Sequence, residues 1–250
     1  MQNILLTLML LLAAGQALAL GQLADISVFD RVERRTLQVY WHEGRAYVIG
    51  KPGNEYRIAL HNRGGADVLA VVSVDGVNVV TGETAAADQS GYVIDNWRSL
   101  EVNGWRKSLE HTAAFYFTAL SDSYAARTGR PDNVGVIGVA LFRRRTEPPP
   151  LSFDTDSPFK RDGRAEGAAR SQAAPQAAEK SLGTGHGRGE TSYARQVGFE
   201  RATSGPEEVV TLYYDSYANL VARGVIRYGL QHHHPQPFPS YFVPDPPQRW

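Results

Sequence analysis

The chain has 250 residues, with 26 Lys and Arg against 26 Asp and Glu, seven His and no Cys. A formal charge of zero and a pI near 7.1 argue against nucleic-acid binding, because that affinity comes largely from neutralised phosphates. The missing Cys excludes disulfide scaffolds, thiolate metal sites, cysteine nucleophiles and a lipid-modified N-terminal cysteine.

Residues Ile4 to Ala14 form an apolar run broken only by Thr7, and Ala17-Leu18-Ala19 places small residues where a signal peptidase requires them. Residues 1–19 therefore read as a secretory signal peptide cleaved after Ala19, and the mature protein is expected in the periplasm or secreted. Met1-Gln2-Asn3 supplies no Lys or Arg, which keeps an uncleaved anchor as the competing reading. Gly15 and Gln16 interrupt the run short of the roughly 20 apolar residues a spanning helix needs, so no stable membrane insertion is expected after cleavage.

From 25 to 145 the texture is all-β, with short runs of Val, Ile, Tyr and Phe separated by Gly, Asn and Asp. Thr36 to Tyr40 and Ala46 to Ile49 flank His42-Glu43-Gly44-Arg45, a hairpin loop whose Gly can take positive φ. Tyr56 to His61 alternates, with Tyr56, Ile58 and Leu60 on one face, as a half-buried strand does. Asn62-Arg63-Gly64-Gly65 turns the chain into Val68 to Val74, a more continuous apolar run that suits a central strand covered on both faces. Asp75-Gly76 closes a two-residue hairpin into Val77 to Val80. Ser99 to Val102, Ala113 to Ala119 and Val134 to Phe142 complete the series. Close hairpins without helices predict an antiparallel β-sandwich or a partly open barrel.

The character changes over 146–192, where Leu151, Phe153, Phe159 and Leu182 are the only large apolar side chains amid Pro, Ala and Gly. Such a stretch buries too little to offset its ordering entropy and reads as a disordered linker, the glycine-rich run 183–189 included. The segment 193–231 follows as a β-hairpin, with Gln196 to Ala202 and Val209 to Tyr214 as strands and Asp215-Ser216 turning into Asn219 to Arg223. A lone hairpin is marginal, so it is expected to dock on the first domain at an exposed edge. Residues 232–250, with six Pro after three His, read as a disordered Pro/His tail.

Catalytic motifs are missing: there is no Gly-x-Ser-x-Gly elbow, no thiol and no phosphate loop. No cofactor is expected. His232, His233 and His234 are the metal candidate, since imidazole binds Zn, Cu and Ni, against the plainer reading of a solvated tail. The densest polar chemistry lies in two stretches, one holding Asp75, Asn78 and Glu83, the other Tyr124 and Arg127. If the fold brings them to one end of the sandwich, they could form a ligand site with Arg127 as the anchor for an anion or carboxylate. The competing reading makes Asp75 and Asn78 shapers of a hairpin. Trp97, Trp105 and Tyr92 could likewise form an aromatic platform, or simply pack around a core.

The motifs Gly50-Lys51-Pro52-Gly53-Asn54-Glu55-Tyr56, Val72-Ser73-Val74-Asp75-Gly76-Val77-Asn78, Gly104-Trp105-Arg106-Lys107 and Ala125-Ala126-Arg127-Thr128-Gly129 resemble those of a group of uncharacterised exported bacterial proteins. The resemblance spans roughly residues 45–145 and implies a bacterial source and export, but no activity and no functional residue. The expectation that follows is a non-enzymatic envelope protein, a binding or structural module whose partner is an envelope protein or a wall polymer. The alternative is an exported hydrolase with a polar site around Asp75, Glu83 and Arg127.

Overall fold

The computed structural model describes residues 20–145 and 181–226. Residues 1–19, expected to be a signal peptide, the segment 146–180 and residues 227–250, with the Pro/His tail, lie outside them.

Strand β1 (Ala24–Asp30) buries every second residue, and a short β2 (Arg35–Thr36) folds back on it. Next come β3 (Val39–His42) and β4 (Arg45–Ile49), joined by the predicted hairpin, where Glu43 and Gly44 take φ of 50° and 73°. In β5 (Glu55–Asn62) Tyr56, Ile58 and Leu60 point into the core as the alternation requires, whereas β6 (Val68–Val74) is buried on both faces except at Ser73. The Asp75-Gly76 turn, with φ of 53° and 73°, leads into β7 (Val77–Asn78). The chain continues through β8 (Tyr92–Ile94), β9 (Ser99–Val102), β10 (Gly104–Arg106), β11 (His111–Ala119), a single helical turn α1 (Tyr124–Arg127) and β12 (Val136–Arg143). Beyond the undescribed segment lie β13 (Leu182–Thr191), β14 (Glu208–Asp215) and helix α2 (Tyr217–Ala222).

These strands form two seven-stranded sheets that do not close into a barrel, so the fold is a β-sandwich. One sheet runs β10-β11-β5-β1-β2, with β13 along β11 and β9 along β5; the other runs β3-β4-β14-β12-β6-β7, with β8 along β6. Every pairing is antiparallel except β14 with β4. Between the sheets, Tyr56 stacks on Phe117 at 4.3 Å and on Phe115 at 5.3 Å, and Trp105 meets Phe115 edge-on.

Two expectations need correction. Residues 182–191 are not linker but a ten-residue strand paired with β11 from His111 to Ala119. Glycine occupies 183, 185, 187 and 189, every second position, so the outer face of β13 is bare backbone. Neighbours fill that space: a Cβ at Gly185 would lie 2.2 Å from the Tyr116 ring, and one at Gly183 would lie 2.6 Å from Ser123. The glycines let those groups lie directly on the strand.

The C-terminal segment is not a docked hairpin either. Among its described residues only β14 is a strand; it sits inside the second sheet between β4 and β12, and 196–202 contributes a single bridge, Arg201 to Arg144. Residues 219–223 lie in and just after α2 rather than in a return strand. Ser216 caps this helix by accepting from Asn219 N–H, and Gly224 ends it at a φ of 72°. Leu220 and Val225 then pack on Tyr47 over the outer face of the second sheet.

Candidate functional site

Asp75 occupies the first position of the β6–β7 turn, yet its side chain points inward and is 1% exposed. Its carboxylate accepts from Gly135 N–H at 2.9 Å, from Thr184 N–H at 2.8 Å and from the Tyr214 hydroxyl at 2.5 Å. The Thr184 hydroxyl bridges the Tyr214 and Tyr56 hydroxyls, at 2.6 Å from each. A single direction of donation satisfies the whole chain: Tyr56 to Thr184, Thr184 to Tyr214, Tyr214 to the carboxylate. Burial nevertheless outweighs these donors and pushes the Asp75 carboxyl up to about 6, while burial raises both tyrosines well above their usual range. The cluster joins β5, the β6–β7 turn, the entry to β12, β13 and β14. It is a polar clip inside the core.

Asn78 is also buried, and its amide organises the loop that follows. Its oxygen accepts from Val80 and Thr81 N–H, and its nitrogen donates to Gln89 Oε1 and to the Ser90 carbonyl, each at 3.0 Å. Glu83 is exposed, and its carboxylate accepts from Gln89 at 3.3 Å. Tyr124 and Arg127 lie on α1; Tyr124 packs on Trp105 at 4.7 Å and Arg127 is exposed. A loop carbonyl is satisfied by Arg130 rather than Arg127, through a 3.0 Å bond to Gly82. Asp75, Glu83 and Arg127 therefore do not converge. Trp97, Trp105 and Tyr92 are not a platform either, because Trp105 is in the core while Trp97 is 62% exposed.

A large cleft lies elsewhere, about 1470 Å³ under the segment 192–204, and neither Asp75, Glu83 nor Arg127 lines it. This segment is a strap from β13 in one sheet to β14 in the other. Its start is held where Ser192 and Ala194 N–H donate to the Glu110 and Leu109 carbonyls and Arg106 bonds the Ser192 carbonyl at 2.5 Å. Its far end is held where Arg145 N–H donates to Glu200 and Ala202 N–H to Arg143, with Arg144 over the Phe199 ring and Arg201 over Phe142. Between these anchors, the backbone of Arg195, Gln196 and Val197 makes no hydrogen bond among the described residues. Leu69, Leu100 and Leu109 supply apolar lining, and among the charged lining residues Arg144 pairs with Asp67 and Arg145 with Glu200. Sequence reasoning missed this site because it read 196–202 as a ladder strand.

Among the described residues no group of three His, Asp or Glu is placed to hold a metal ion, and no helix is long and apolar enough to cross a membrane. His232, His233 and His234 lie outside those residues. The fold defines the class, an all-β sandwich with an interior polar clip and a strapped lateral cleft. Searches of known protein families, curated proteins and solved structures found no match for the chain.

Proposed function

We propose that this is an exported, non-enzymatic binding module of the cell envelope, and that it holds an extended polypeptide in the cleft beneath the strap. The observation that carries this reading is the run Arg195-Gln196-Val197, whose unused N–H and carbonyl groups border a cleft of mixed polar and apolar lining. A sheet-like partner satisfies such groups along its backbone and places alternate side chains on Leu69 and Leu109. Tyr193 at 82% exposure and Val197 at 47% leave apolar surface beside the opening.

Mature protein immobilised and exposed to an envelope extract should retain a protein partner, and Leu109→Asp with Val197→Asp should reduce that recovery at least tenfold without shifting the melting temperature. Both side chains are about half exposed, so the charges burden binding rather than folding. Recovery of a wall polymer instead would reassign the ligand. Turnover on a substrate panel with no retained partner would overturn the reading in favour of an enzyme.

Export is the second half of the proposal. N-terminal sequencing of protein recovered from the periplasm or medium should begin at Leu20. Retention of Met1 would replace the signal peptide by an anchor.

A further inference from the structure

A second feature lies at the mouth of the sandwich, where α1 closes over β10 and β13. Tyr124 is the hub, with its ring 4.7 Å from Trp105 of β10 and 5.7 Å from His186 of β13. Trp105 is fixed from behind by its indole N–H, which donates to the Gly185 carbonyl at 3.0 Å. The 81–83 loop borders the same place, since a Cβ on Gly82 would sit 3.5 Å from the Tyr124 hydroxyl. That hydroxyl makes no hydrogen bond among the described residues, and neither Lys107 nor Arg127 forms an ion pair or hydrogen bond through its side chain. Both cations are exposed, and the carboxylate of Glu83, on the bordering 81–83 loop, is engaged by Gln89.

We propose that Lys107, Arg127, His186 and the Tyr124 hydroxyl form a binding site for a small doubly charged oxyanion of the sulfate or phosphate class. The His186 imidazole is held below its usual range, first by partial burial and then by the positive charges of Lys107 and Arg127. Cations that form no ion pair gain when an anion enters. Arg127 and Lys107 supply the charge, Tyr124 and His186 supply directed donors, and Trp105 fixes the ring wall from below. None of these residues lines the strapped cleft, so the site stands or falls apart from the function proposed above.

The test follows the His186 ring resonance through a pH titration of the mature protein, with sulfate compared against chloride at matched ionic strength. Sulfate is expected to raise the His186 midpoint by about half a pH unit beyond chloride, because a bound dianion favours the imidazolium. Lys107→Gln with Arg127→Gln is expected to raise the midpoint without sulfate and to weaken sulfate binding roughly tenfold. Identical titrations in sulfate and chloride would overturn the proposal, as would a double variant that still binds sulfate as tightly as the parent. Both substituted side chains are exposed, so the variant retains the fold, which a thermal melt checks.

Discussion

Deletion of residues 193–250 is expected to abolish cooperative unfolding, leaving an aggregation-prone chain without a defined melting temperature. The cause is topological. β14 is flanked by β4 on one side and β12 on the other, so its loss leaves two strands of the second sheet facing each other across a missing one. With it go Val210, Leu212 and Tyr214 from the main core and Leu220 and Val225 from the cover on Tyr47. At roughly 1.5–3 kcal/mol for each large buried side chain the loss is on the order of 10 kcal/mol, comparable with the whole stability of a domain. A deletion of 232–250 leaves every strand and helix of the described residues in place and should melt with the full mature chain. A deletion of 193–250 that kept a sharp transition at the parental temperature would refute the central placement of β14.

How much of this was readable beforehand follows from which physical signal each element carries. β5 and β6 were legible because their burial pattern is written in their own residues, alternating in one and continuous in the other. The 75–76 hairpin was legible because two consecutive positive φ values suit Asp-Gly. β13 was obscured because its glycines look like flexibility; what makes it a strand is Tyr116 and Ser123 pressing on it from elsewhere in the chain. The signal was nonetheless present as a two-residue glycine period with Thr184 and His186 between. At α2 the capping pair Ser216 and Asn219 was available, but Val221 and the preceding apolar run argued for a strand. The edge docking expected of Val209 to Tyr214 failed for another reason: a sequence shows that a strand wants partners, not how many it finds.

The site was less legible than the fold. Asp75 was singled out as a polar turn residue, and the turn is there, but its carboxylate faces inward. Its partners Gly135, Thr184 and Tyr214, with Tyr56 joined through Thr184, are spread over 159 positions of sequence, from 56 to 214, and no local pattern connects them. Asn78 followed the plainer expectation of a loop-shaping residue. The strapped cleft was invisible because its defining property, a backbone run left unpaired, is a product of the fold and not of residue type.

The buried carboxyl of Asp75 sets the second large expectation, a stability contribution that declines as pH rises. A folded-state value of about 6 against 3.8 for the free side chain means the native protein binds this proton more tightly than the unfolded chain does. The contribution is therefore fully present below about 3.8 and is lost as the pH climbs through about 6, amounting to about 3 kcal/mol over the window. Glu33 and Glu55 act with the opposite sign, because hydrogen bonds from Arg35 and Arg188 hold them below their usual range; the raw pH profile mixes both kinds. The difference between the parent and Asp75→Asn isolates the buried group. In either orientation the amide sets an N–H against one of the backbone donors, Gly135 or Thr184, so the variant starts about 1–3 kcal/mol less stable. Urea unfolding of both proteins at intervals from pH 4 to pH 7 should show the parent's advantage shrinking by about 2–3 kcal/mol as pH rises. An advantage that stays constant, or grows with pH, would mean that Asp75 is ionised throughout. The three donors would then outweigh burial, and the clip would work as a fixed charge rather than as a titrating one.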